Sequence, residues 1–198
     1  MSIGSLLIIS GPSGSGKGTV VKALAKSGDN YAVSVSVTTR KIRRGEREGV
    51  DYFFKTEDEF GAMRDNEQLL EHASFVGNLY GTPRFYVEDM IEKGKTVLLE
   101  IEVNGALQVR ERYPDCVLIF LVPPSFDELQ RRLAARGTED KMTAQSRIVR
   151  AKEEIALIGK YDYLVINDQV EKAVDCIQKI TFAEGLRPAR NKKFLEVY

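Results

Sequence analysis

Residues 11–19 read Gly-Pro-Ser-Gly-Ser-Gly-Lys-Gly-Thr, which is the form GxxxxGK followed by a small residue. Triphosphate oxygens need many hydrogen-bond donors at close range. Glycines let the backbone approach and turn its N–H groups inward, and the start of a following helix adds partial positive charge. The segment is therefore expected to cradle phosphates through Gly11, Pro12, Ser13, Gly14, Ser15, Gly16, Lys17, Gly18 and Thr19, with Lys17 reaching the outer two phosphoryl groups. Gly18 stands where a Ser or Thr commonly offers a hydroxyl to magnesium. Thr19 carries the next hydroxyl, but one step along a helix turns it about 100° away. The alternative is a Gly/Ser-rich turn with an incidental lysine, and it can be judged only from the elements on either side.

Two further clusters carry charge. Between Arg40 and Arg47 stand five basic residues, preceded by Ser36, Thr38 and Thr39. Arginine forks match a phosphate dianion and neighbouring hydroxyls add donors, so this is the composition of a monophosphate pocket. A solvated charge run is the competing reading. Later, Arg131, Arg132, Arg136, Arg147 and Arg150 flank the run Gly137-Thr138-Glu139-Asp140. By themselves they read as exposed helix arginines paired with Glu139, Glu153 and Glu154. Glu100 ends an apolar run, and an acid there can hold magnesium through water.

The elements needed to position these groups are legible. An apolar run from Ser5 to Ser10 ends at Gly11 and reads as a buried strand of a parallel sheet. The segment from Lys17 to Lys26 reads as a helix with Val20, Val21 and Leu24 inward. Strand, glycine loop and helix in that order are the context the phosphate loop requires. Apolar runs recur at 96–99, 117–122 and 163–166, and helical spacing follows at Phe126/Leu129/Leu133, at Ile148/Ala151/Ile155/Ile158 and from Val170 to Ile180. Alternating strands and helices imply a parallel sheet covered on both faces. The stretch 34–82 breaks the rhythm with Gly45, Gly49, Gly77 and Gly81 and short runs at 52–54 and 74–76. It reads as an inserted β-rich lobe with one short helix near 57–64.

Bulk composition bounds the class. A chain of 198 residues can bury one core, and 29 basic against 29 acidic residues give no general attraction to nucleic acid or membrane. Any phosphate site must then be local. The single histidine, His72, excludes multi-histidine metal sites and is read as structural. Cys116 and Cys176 are expected to be buried thiols in a reducing cytoplasm. No apolar run approaches a membrane span, and no signal-type segment opens the chain, so a cytoplasmic protein is expected, as monomer or homo-oligomer.

The run Val37-Thr38-Thr39-Arg40 with Arg43, Gly45, Glu46 and 51–54 (Asp-Tyr-Phe-Phe) resembles the signature of the guanylate kinase family. Residues 71–82, 99–106 and Arg136-Gly137-Thr138-Glu139 with Arg147 resemble it as well, in order, from about 6 to 183. The resemblance implies a P-loop NTPase-type α/β fold in one domain. Its core would span about 1–33, 83–125 and 160–198, with a GMP-binding lobe at 34–82 and a helical lid at 126–159. It implies phosphoryl transfer from ATP, with Mg2+, to GMP and also dGMP. Carried over, Ser36, Arg40, Arg43, Tyr52 and Tyr80 would hold the acceptor phosphate, and Glu71, Thr82 and Glu102 would read guanine. Lys17, Arg40, Arg136 and Arg147 would carry the transfer, and Asn167 would lie at the adenine site. The family often has Asp where Glu102 stands. Ionised carboxylates accept from guanine N1–H and N2–H₂ and repel the N1 acceptor of adenine. A kinase of a phosphorylated ribose shares such a loop but not the combination of Glu71, Tyr80 and Thr82. A non-catalytic binding module of the same fold usually has a degraded loop, whereas Gly16 and Lys17 are intact here.

Overall fold

The computed structural model describes residues 4–134 and 141–191. Strand β1 (Ser5–Ser10) leads through a glycine loop into helix α1 (Lys17–Lys26), and β2 (Tyr31–Val33) follows. Next come β3 (Val37–Thr38), β4 (Phe53–Phe54), α2 (Glu57–Asp65), β5 (Leu69–Phe75) and β6 (Asn78–Pro83). The chain continues through α3 (Arg84–Glu92), β7 (Thr96–Glu100), α4 (Val103–Arg112) and β8 (Val117–Val122). Helices α5 (Phe126–Ala134) and α6 (Lys141–Ala156), strand β9 (Tyr163–Ile166) and helix α7 (Val170–Gly185) complete it.

Five strands form one parallel sheet in the order β2-β7-β1-β8-β9. Strand side chains alternate between faces, and β1 uses both faces for core. Leu7 and Ile9 pack with Val20, Val21 and Leu24 of α1 and with Ala173 and Ile177 of α7. Leu6 and Ile8 pack on the opposite face with Val87 of α3 and Ala106 and Val109 of α4. Burial on both sides favours apolar residues at successive positions, which is why residues 6–9 of β1 and all of β8 read as unbroken apolar runs.

The interrupted stretch forms a second sheet of order β4-β3-β6-β5 around a separate cluster of Val37, Phe60 and Leu69. Helix α2 presents Phe60 to that cluster and begins with a capping box, Thr56 with Glu59. Helix α4 ties the edge strand β5 to the main core. Gln108 bonds both the N–H and the carbonyl of His72, and Arg112 donates to the carbonyls of Leu69 and Leu70. These side chains occupy backbone groups that an uncovered edge would expose.

Three expectations change. Val76 is not in a strand. With Gly77 it takes positive φ (48° and 72°) and makes the two-residue hairpin turn between β5 and β6, which suits the strand twist. Strand β2 and helix α3, unanticipated, fill out the sheet edge and cover its face. Cys116 is buried as expected, and burial pushes its thiol up to about 11. Cys176 is exposed instead, because α7 turns Ala173 and Ile177 inward and leaves position 176 on its outer side.

Phe60→Ala removes the largest side chain of the second sheet's cluster, a ring only 1% exposed. It should cost about 3–5 kcal/mol in urea unfolding. A loss below about 1 kcal/mol would mean that the cluster collapses around the gap.

Candidate functional site

The carboxyl ends of β1, β7, β8 and β9 converge, and the loop after β1 lies across them. Gly11 holds a φ of 142°, and a Cβ there would stand 2.2 Å from the carbonyl oxygen of Leu121, so only glycine lets the loop leave β1 this close to β8. Gly16 takes the left-handed conformation (φ 89°) immediately before α1, and its Cβ would meet Asn167 Nδ2 at 2.4 Å. That Nδ2 donates to the Ser15 carbonyl at 2.8 Å, while the Asn167 N–H donates to the Val122 carbonyl at 2.7 Å. Asn167 is buried, and its side chain fastens the underside of the loop to the end of β9. Lys17 Nζ donates to the carbonyls of Gly11 and Pro12 at 2.6 and 3.2 Å.

A cavity of about 350 Å³ opens over this loop, lined by Ser13, Gly14, Gly16, Lys17, Gly18, Thr19, Lys22 and Glu100. A Cβ on Gly18 would lie 3.3 Å from both carboxylate oxygens of Glu100. The absent side chain is what lets that carboxylate rest against the first turn of α1. A carboxylate beside a glycine loop of this form fits magnesium, which keeps most of its waters and takes few protein ligands. Among the described residues no three His, Cys, Asp or Glu side chains gather into a metal cage.

A second cavity of about 370 Å³ brings together Ser36, Tyr52, Glu71, Tyr80 and Glu102, with Ala73, Ser74, Phe75, Ile101, Glu100 and Arg150 completing its lining. Glu100 lines both cavities. Glu71 is only 6% exposed and accepts from the buried Thr82 hydroxyl at 2.7 Å. Burial, and secondarily the charge of Glu102, push its pKa up, against the Thr82 hydrogen bond and the more distant Arg112. Gly105, in the first turn of α4, leaves room for the other Glu71 oxygen, which would lie 3.2 Å from a Cβ there. Glu102 precedes α4 but does not cap it with its side chain; its Oε2 instead takes Arg150 Nη2 from α6.

Arg40 stands beside this cavity. It forms a two-point pair with Glu46 at 2.7 and 3.0 Å, and its guanidinium lies 5.3 Å from the Tyr52 ring centroid. Tyr52 and Tyr80 meet edge to face at 6.0 Å. Arg40 holds Glu46 below the usual carboxylate range, and the backbone N–H of Arg43 adds to the effect at 2.8 Å. The Arg43 side chain itself is exposed and is not among the cavity's lining residues. Glu46 therefore fixes the direction of the Arg40 guanidinium, a contact that inspection of individual basic residues misses. An acid six residues after Arg40, within a basic run, was the available signal.

On the far side, Glu128 of α5 takes both Arg131 and Arg132, which depress it to about 2. These are partly exposed i,i+3 and i,i+4 pairs that contribute little to stability. Arg132 also donates to the Asn167 carbonyl at 3.1 Å, which places it above the phosphate loop's anchor. Arg147 is half-buried on α6, less than one turn before Arg150. Arg136 lies outside the described residues.

Comparison with known proteins agrees with this arrangement. The family described as guanylate kinase matches residues 4–184. The guanylate kinase of Halalkalibacterium halodurans is 54% identical over 187 residues, covering 94% of this chain and 92% of that protein. That of Lactococcus lactis is 52% identical over 187 residues, covering 94% and 91%. The crystal structure of guanylate kinase from Anaplasma phagocytophilum superposes with a TM-score of 0.73 at 37% identity, covering 96% of this chain and 90% of that one. A glycine loop fastened to a parallel sheet, a carboxylate-lined cavity beside it and similarity to these proteins along nearly the whole chain lead to one conclusion: the chain belongs to the guanylate kinase family.

Proposed function

We propose that the chain transfers the γ-phosphoryl group of ATP to GMP, and to dGMP, giving ADP and GDP or dGDP in purine nucleotide metabolism of the cytoplasm. The observation that carries this reading is the shared wall. Glu100 lines both the phosphate-loop cavity and the cavity floored by Glu71, so a donor in one and an acceptor in the other meet at one carboxylate. Phosphoryl transfer gains chiefly from such positioning and from neutralised charge. Among the described residues no helix is long and apolar enough to cross a membrane.

The roles follow from chemistry. Backbone N–H groups of 11–19 hold the triphosphate, and Lys17 leaves the Gly11 and Pro12 carbonyls to pair with it. Glu71 accepts from guanine N1–H and N2–H₂ while Thr82 fixes its orientation, and Glu102 flanks it. Ser36, Tyr52 and Tyr80 offer hydroxyls to the acceptor phosphate, and Arg40, preset by Glu46 and the Tyr52 ring, supplies positive charge there. Arg43 joins them by turning inward from the surface. Arg136 and Arg147 approach the transferring group from the lid and exclude water. Asn167 supports the adenine side through the loop it anchors. Magnesium, held near Glu100 through water, would neutralise charge on the β- and γ-phosphoryl oxygens.

An ADP-release assay with ATP, magnesium and GMP, dGMP, AMP, UMP or CMP tests the reading. Turnover is expected with the two guanine nucleotides and little with the rest; turnover with none of the five would overturn it. Lys17→Met should lower kcat roughly 10³-fold with an unchanged far-UV CD spectrum, because its bonds to the Gly11 and Pro12 carbonyls lie in the loop and not in either core cluster. A folded-state loss of the same size would assign Lys17 to stability instead. Glu71 must be ionised to accept from guanine, and its pKa is raised. KM for GMP should therefore climb as pH falls through a range above the ~4.3 of a free glutamate. Glu71→Gln should abolish that dependence and raise KM for GMP roughly 30-fold, with KM for ATP unchanged. Equal changes for both nucleotides would remove Glu71 from the base site.

A further inference from the structure

The acceptor cavity holds a contradiction. Three of its lining residues, Glu71, Glu100 and Glu102, are carboxylates, yet it must receive a dianion. Arg40 stands outside the lining, and Arg150 is the one cation among the lining residues. Arg150 comes from α6, far along the chain, and its guanidinium has two partners. Nε donates to Glu154 Oε1 on its own helix at 3.0 Å, and Nη2 donates to Glu102 Oε2 at the start of α4. Glu102 in turn makes no capping bond to its own helix. Its orientation thus depends on the arginine.

We propose that Arg150 is a positioning residue for the acceptor, holding Glu102 in place and neutralising it so that Glu102 and Glu71 can share one base pocket. The role rests on the reading of GMP as acceptor. An exposed ion pair on a surface contributes little, but this one sets the charge beside a buried acid. Glu71 faces Thr82 from β6, Glu102 and the more distant Arg112 from the two ends of α4, and Glu100 across the cavity. Without the guanidinium, Glu102 stands as an uncompensated anion near Glu71 and raises the proton affinity of Glu71 further. The ionised form that guanine requires then becomes scarcer at a given pH. A lysine at 150 keeps the charge and loses only the two-point grip.

Steady-state kinetics of the full chain against pH would test the proposal, using wild type, Arg150→Ala and Arg150→Lys. Arg150→Ala should raise KM for GMP roughly fivefold, leave KM for ATP unchanged and move the acid limb of kcat/KM for GMP to higher pH. Arg150→Lys should return the limb to the wild-type position. Equal rises in both KM values, an unmoved limb, or a lysine variant that behaves as alanine does would each overturn the proposal. Wild-type turnover separates the two readings. If wild type phosphorylates GMP and Arg150→Ala matches it in every quantity, the role of Arg150 falls and GMP phosphorylation stands. If wild type leaves GMP unphosphorylated, both fall.

Discussion

Parallel pairing of β1 with β7 and β8 is the constraint on which the rest depends. It puts the carboxyl ends of the strands at one side of the sheet, so the loop after β1, Glu100 at the end of β7 and Asn167 after β9 become neighbours although they are far apart in the chain. Their closeness is enforced by missing side chains. Gly11 lets the loop pass the Leu121 carbonyl, and Gly16 admits the Asn167 amide. The sheet has to be buried on both faces to be stable in this form, and the clusters around Leu7 and Leu6 meet that need. The site is therefore a product of the core's geometry.

Charge is the second organising theme. The chain as a whole is neutral, so no long-range field gathers nucleotides, and selectivity must arise within a few ångströms. In the proposed reaction the acceptor cavity's carboxylates would meet the base, and its hydroxyls, with an arginine nearby, the phosphate. Three of the charged groups in and beside it are held by a neighbour. Glu46 sets Arg40, Arg150 holds Glu102, and a hydroxyl fixes Glu71. Prepaired groups of this kind lose little freedom when a ligand arrives, which is the advantage of preorganisation.

Much of this was legible in the residues alone. The phosphate loop, its flanking strand and helix, the alternation that makes a parallel sheet and the inserted second sheet all follow from local pattern, because apolar period and glycine placement report backbone geometry directly. Glu71, Tyr52, Tyr80 and Glu102 were identified by resemblance, and the structure brings them to one cavity. What remained hidden was set by tertiary contact. Strand β2 is three residues long and too short to show a period. The exposure of Cys176 depends on which face of α7 meets α1. The grip of Arg150 on Glu102 joins residues 48 positions apart, and each is unremarkable in its own segment.

Gly18 repays a last consideration. The space a side chain would fill at this position is bordered by the Glu100 carboxylate. A hydroxyl-bearing residue on α1 and a carboxylate from β7 are rival tenants of that space. In the proposed reaction, magnesium would then find a carboxylate from the sheet beside the loop instead of a hydroxyl from the helix, at a residue that lines both cavities. A substitution at 100 would therefore alter the walls of both cavities at once.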